Sequence, residues 1–176
     1  MKTLYFLTLA FVASFIADLS AHENISPMPN LEMPTTSTAA KSRSQVDLIR
    51  DKTSKPFQIL AFSGIKKGEQ VLDLLGGNGY YSELIAHLVG TTGKVLLHNN
   101  KVYVPFVGKS LTDRELAGGL DNVVRLISEA DDLQLGHQKF DAAILVLGYH
   151  DFFYSEHNWS FPVDVAIPQL LKSLKP

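Results

Sequence analysis

The chain has 176 residues, 45% of them hydrophobic, and sixteen Lys and Arg against eighteen Asp and Glu give it a formal net charge of −2. That length supports one ordinary hydrophobic core, and the basic residues are scattered rather than clustered, so no nucleic-acid partner is expected. With no cysteine in the sequence, a disulfide framework, a thiolate metal site and lipid attachment through a thiol are excluded.

At the N-terminus, Lys2, the apolar run from Leu4 to Ile16 and the small residues up to Ala21 have the three parts of a secretory signal peptide. Residues 1–21 are therefore expected to direct export, to a periplasmic location, with cleavage after Ala21; Leu19 departs from the small-x-small rule, and an uncleaved anchor is the alternative. The run is shorter than the roughly 20 apolar residues of a spanning helix. Residues 22–44 are rich in Pro, Ser, Thr and Asn with no hydrophobic period, which predicts an extended linker or arm carrying no chemistry. The sequons at Asn24 and Asn158 would matter only in a eukaryotic secretory pathway.

Residues 45–176 are expected to form one domain. Gln45 to Phe62 predicts one or two short helices interrupted near Pro56. Gln70 to Leu75 is a short apolar run between Lys-Lys-Gly-Glu and Gly-Gly, the pattern of a buried parallel strand. Tyr80 to Val89 has helical spacing, with Leu84, Ile85 and Leu88 on one face, and a Gly-Thr-Thr-Gly turn leads to a second strand at Lys94 to His98. Thr112 to Leu120 predicts a helix, Val123 to Ile127 a third strand, and Phe140 to Leu147 a fourth. A polar and aromatic segment from Gly148 to Pro162 and a last helix from Val163 to Leu174 follow. Strands alternating with helices predict a doubly wound, Rossmann-like α/β sheet with right-handed crossovers.

The chemistry is expected at the loop Asp73-Leu-Leu-Gly-Gly-Asn-Gly79, between a strand end and a helix start. Gly77 and Gly79 allow a sharp turn and a close approach to a ligand, and the helix beyond offers N–H donors, which suits a nucleotide-like cofactor; a simple tight turn is the alternative. About twenty residues on, the second strand ends in His98-Asn99-Asn100, where a ribose-binding side chain is expected. A nicotinamide or flavin enzyme would carry a third glycine and an acid at the strand end, and this chain has Ser82 and Asn99 at those places.

The stretch from Gly64 to Asn99, GIKKGEQVLDLLGGNGYYSELIAHLVGTTGKVLLHN, resembles motif I of the class I S-adenosylmethionine-dependent methyltransferases, and within them a group of exported bacterial members. Leu75 stands where most of that superfamily has its first glycine. The resemblance implies strands in the order 3-2-1-4 and S-adenosylmethionine as cofactor, held by Asp73, Gly76, Gly77, Asn78 and Gly79. In the same family pattern Asn99 faces the ribose hydroxyls, and Glu129, with Asp131 in reserve, meets the adenine amino group. Tyr149, His150 and Asp151 follow the fourth strand, where the superfamily places residues against the methyl and the acceptor; His150 is the expected base or acceptor positioner, or else a structural histidine capping the strand.

Phe152, Phe153, Tyr154, Trp159 and Phe161 could wall an acceptor pocket or fill the space under a loop. No compact ligand spacing supports a metal site. The superfamily continues beyond Leu-Lys-Pro with a fifth strand and an antiparallel pair, so the resemblance implies a partial domain with strand four as an open apolar edge, or an oligomer that covers it. Two other functions stay open: a non-catalytic module binding a small ligand or a protein on the same fold, and a nicotinamide-dependent oxidoreductase.

Overall fold

In the computed structural model, which describes residues 4–7, 43–118 and 120–176, the apolar run before the glycine loop forms the middle strand of a parallel sheet. The strands are β1 (Leu4–Leu7), β2 (Gln70–Asp73), β3 (Lys94–Asn99), β4 (Val123–Ile127) and β5 (Ala142–Val146), in the spatial order β1-β5-β2-β3-β4. The last four reproduce the expected 3-2-1-4 arrangement. Five helices accompany them: α1 (Gln45–Ser54), α2 (Pro56–Ser63), α3 (Tyr80–Val89), α4 (Val104–Leu116) and α5 (Val163–Ser173). None of the described helices is long and apolar enough to cross a membrane.

Because side chains alternate across a strand, the central strands feed two cores. Val71, Val95, Ala142 and Ile144 point to one face and pack with Leu84, Ile85 and Val89 of α3 and Leu60 of α2. Leu72, Ala143 and Leu145 point to the other and pack with Phe161 and with Ala166 and Leu170 of α5. Both faces of the middle strands are therefore dry, which is why they read as continuous apolar runs rather than as alternating ones.

Four expectations need correction. The open edge expected on the fourth strand is occupied: β5 pairs in parallel with β1, from Leu4 opposite Ala143 to Leu7 opposite Val146. These four residues belong to the segment read as an export signal; the rest of 1–21 and residues 22–42 lie outside the described residues. The helix expected at Thr112 to Leu120 runs instead from Val104 to Leu116, because Pro105 sits in its first turn, where a missing N–H costs nothing, and Tyr103 N–H is capped by Asn100 Oδ1 at 2.9 Å. Strand β2 stops at Asp73, since Leu75 takes a left-handed φ of 53° and turns the chain out of the sheet. That backbone state costs a non-glycine residue about 1–2 kcal/mol, while burying a leucine side chain contributes about 1.5–3 kcal/mol, so the buried Leu75 is tolerated.

The end of the supposed inert arm is the fourth. Ser44 caps α1 by accepting from Asp47 N–H, and Arg43 is buried in an ion cluster. In that cluster Arg43 pairs with Asp51, and Arg114 of α4 pairs with Asp47 at 2.8 Å and with the fully buried Glu83 of α3. Burial alone would raise the Asp47 carboxyl, but its bonds to Arg114 and Ser44 hold it below the usual range. Three helices that share no sequence pattern are thus locked by charges that each need the others.

Removing one partner of a buried pair leaves the other uncompensated. Arg114→Ala is expected to cost about 3–5 kcal/mol in urea unfolding, whereas Lys109→Ala, which removes the exposed Lys109–Asp113 pair of the same helix, is expected to cost about 0.5 kcal/mol or less. Equal effects of the two substitutions would mean that the cluster contributes no more than a surface pair.

Candidate functional site

The sheet runs one way from β2 to β3 and β4 and returns on the other side to β5, so the carboxyl ends of β2 and β5 flank a topological switch point. A cleft of about 750 Å³ opens there, within the usual range of about 300–1,000 Å³ for small-molecule sites.

One wall is the glycine loop, and hydrogen bonds from the end of β3 shape it. Gly76 N–H donates to His98 O at 3.0 Å, Gly77 N–H donates to Asn99 Oδ1 at 2.9 Å, and Asn99 Nδ2 donates back to Gly77 O at 2.9 Å. His98 is fully buried, and its Nε2 lies 3.1 Å from the Ser128 carbonyl. A carbonyl can only accept, so Nε2 carries the hydrogen and Nδ1 is left to accept from Leu75 N–H at 3.5 Å. Burial pushes this imidazole down to about 4, which keeps it neutral and the tautomer fixed. From the other side Arg114 Nε donates to Asn78 O at 3.0 Å, so the ion cluster also grips the loop.

Under the loop lies Asp73. Its Oδ2 accepts from the Ser82 hydroxyl at 2.6 Å, and a Cβ built on Gly76 would stand 2.6 Å from the same oxygen, so the backbone can cover this carboxyl only as glycine. Complete burial pushes Asp73 up to about 6, against the opposing pull of Ser82. Ser82 stands at the third-glycine place of a nicotinamide fingerprint, and here its hydroxyl anchors the acid instead.

The opposite wall follows β5. Gly148 opens a short 3-10 helix, Tyr149–Phe153, where a Cβ would lie 2.5 Å from Leu145 Cδ1 and could be admitted only if that side chain moved. His150 Nε2 lies 3.3 Å from Asp151 Oδ1, with His150 largely exposed and Asp151 half-buried. Burial pushes the Asp151 carboxyl up, and the charge of His150 opposes it. Trp159 Nε1 donates to Asp151 O at 2.7 Å and its ring meets Tyr103 edge-on at 5.7 Å. Among the described residues no group of three or more His, Asp and Glu is placed to hold a metal.

Asp73, Gly76, Gly77, Asn78, His150 and Asp151 therefore line one cleft, although the two groups lie far apart in sequence. The other expected site residues have different contacts. Gly79, φ 80°, packs where a Cβ would press on Leu97 and Leu111, at 3.1 and 3.2 Å. Asn99 is 2% exposed, and its amide is spent on Gly77 rather than turned to the cleft. Glu129 accepts from Lys101 N–H at 3.1 Å, Asp131 is exposed away from the cleft, and Tyr149 packs on Phe152 and Phe153. Of the aromatic cluster, Tyr154 and Trp159 reach the cleft, whereas Phe152 and Phe161 fill the core. Sequence reasoning missed Arg50 of α1 and Tyr103, Phe106 and Val107 of the α4 region, which also line it. Only the helical start at Pro105 could have pointed to the α4 residues.

No family model matches the chain. It is 30% identical over 118 residues to the ubiquinone/menaquinone biosynthesis C-methyltransferase UbiE of Pseudomonas putida, a stretch that is 66% of this chain and 42% of that protein. The same figures hold for the enzyme of that name from Ectopseudomonas oleovorans, of which 63% is covered. The chain thus spans from about two fifths to somewhat under two thirds of the length of these relatives. Among solved structures, a SAM-dependent methyltransferase from Aquifex aeolicus matches with a TM-score of 0.55 and 26% identity, over 74% of this chain and 66% of that one. A protein from Methanococcus maripaludis described as a putative S-adenosyl-L-methionine-dependent methyltransferase shares the fold with a TM-score of 0.52 and 17% identity, over 74% and 56%.

Asn99→Asp keeps the acceptor for Gly77 N–H but sets a carboxylate oxygen against Gly77 O, so it is expected to lower stability by about 1–3 kcal/mol at neutral pH. Urea unfolding of the variant checks this; an unchanged midpoint would mean that the loop is not held by Asn99.

Proposed function

We propose that this chain, which belongs to the class I S-adenosylmethionine-dependent methyltransferases, binds S-adenosylmethionine in the cleft between the glycine loop and the segment after β5 and supports methyl transfer to an acceptor beside His150. The observation that carries this reading is the juxtaposition of two walls at the switch point, a glycine loop folded over a buried acid and a His-Asp pair facing it. The residues fit the cofactor: a Cβ on Gly77 would stand 3.5 Å from the Tyr103 hydroxyl on the cleft wall, so glycine keeps that approach to the backbone open, and the volume suits a nucleoside-sized ligand.

When bound, the sulfonium supplies an already activated methyl group. The chain's own task is then to align the acceptor, exclude water and take up a proton where the acceptor has one to lose. His150 Nε2 lies 3.3 Å from the Asp151 carboxyl, which would stabilise an imidazolium formed there. The N–H groups of Leu75, Gly76, Gly77 and Gly79 are taken up within the protein, so the amino end of α3 would supply the donors that hold the cofactor, and Asp73 would receive its ammonium group. Phe106 and Leu147 leave exposed apolar surface on the cleft, which suits an acceptor with an apolar face; the name of the Pseudomonas relatives would place the methyl on a carbon.

Titration calorimetry of the full chain with S-adenosylhomocysteine is expected to give saturable binding, and no heat at millimolar ligand with folded protein would end this reading. The raised Asp73 adds a pH dependence with a definite sign. In the free protein its contribution to stability is complete below the unfolded carboxylate value and is lost as pH rises through about 6. A ligand ammonium favours the carboxylate, so affinity must rise with pH over the same window. S-adenosylhomocysteine is expected to bind ~10-fold more weakly at pH 5 than at pH 7.5, and Asp73→Asn should flatten the profile. A slope that survives Asp73→Asn would assign it to another group.

A further inference from the structure

Arg50 is the one arginine without a carboxylate in ion-pair distance among the described residues; Arg43, Arg114 and Arg125 each have one. Among the described residues it is also the only Lys or Arg on the wall of the cleft. Its guanidinium lies over the Tyr80 ring, 3.9 Å from the centroid, and Tyr80 is the residue directly after the glycine loop and the first of α3. The charge of Arg50 acts on Tyr81 and Tyr103 as well, two phenols that line the same cleft.

The placement is not accidental, because α1 is pinned by Asp47 and Asp51, which lie on either side of Arg50 in sequence and are both held in the buried ion cluster. A rigid helix therefore presents this guanidinium to the cleft, next to the amino end of α3. Two positive features that would repel one another remain close together, an arrangement that an anion relieves. On the same wall Asp73 offers an acid. A cation and an acid flanking one loop are the complement of a zwitterion, whereas a phosphate would meet both Asp73 and Asp151.

We propose that Arg50 binds the carboxylate of the amino-acid end of the ligand, so that α1 forms part of the cofactor site. This assignment rests on the cofactor reading above and deepens it. A planar fork already stacked on Tyr80 is prearranged to take a carboxylate with two parallel hydrogen bonds.

Calorimetry on the full chain with two ligands tests it. S-adenosylhomocysteine carries the carboxylate, and decarboxylated S-adenosylmethionine lacks it. Arg50→Ala is expected to weaken S-adenosylhomocysteine about 10- to 100-fold, the span of a charge-assisted hydrogen bond, and to change the decarboxylated ligand by about twofold or less. Arg50→Lys, which keeps the charge without the fork, should fall between. Loss of both ligands to the same degree would overturn the assignment in favour of a merely structural Arg50, and no loss for either would overturn it outright. Failure of the unaltered chain to bind either ligand would instead remove the cofactor reading itself, and the assignment with it.

Discussion

The cleft depends on one reciprocal pair of hydrogen bonds, in which the Asn99 amide accepts from and donates to the backbone of Gly77. Gly77 has a left-handed φ of 61° and follows three residues that have already left the strand. Gly77 is buried, so without a partner its peptide groups would carry the desolvation cost of unmade bonds. Asn99 supplies both partners from a neighbouring strand whose position is set by pairing on both sides, with β2 and with β4. The loop is thereby read off the sheet, and everything that lines the cleft on that side inherits its place.

The second constraint works at longer range. Arg114 touches Asp47 on α1, Glu83 on α3 and the Asn78 carbonyl in the loop. Charges buried in this way contribute little net stability, since their desolvation offsets most of their attraction. What they supply is definition: only one docking of α1 satisfies Asp47, Asp51 and Glu83 together. The floor of the cleft and its rim are consequently held by the same guanidinium.

Much of the scaffold was legible because its signals are local. Tyr80–Val89 and Val123–Ile127 were bounded to the residue, since a helical period and an apolar run end at glycines or polar turns. The strand order and the pairing of Asp73 and its loop with His150 and Asp151 in one cleft were implied by the family resemblance of the loop, not by spacing alone. Side-chain direction was not legible. Spacing puts Asn99 at a strand end, but whether its amide turns to ligand or to Gly77 depends on a loop more than twenty residues away. Arg43 sits at the end of a polar, unpatterned arm, and nothing near it in sequence announces Glu83 or Asp51. Nothing in the spacing around Arg50 marks it out, and only the docking of α1 turns it toward Tyr80. The α4 start was hidden by Pro105, which reads as a breaker unless it falls in a first turn.

The pairing of β1 with β5 bears on how the molecule assembles. Each bond of that ladder joins residues from opposite ends of the chain, and β5 must also find β2 across a long separation. Ordering such ends requires closing a loop that spans most of the sequence, and that entropy is spent before any contact offsets it. The unit from β2 through β3, whose contacts are short in sequence, can form early and already contains the complete hold on Gly77. The half that shapes the loop thus rests on contacts near in sequence, and the half that completes the sheet on distant ones.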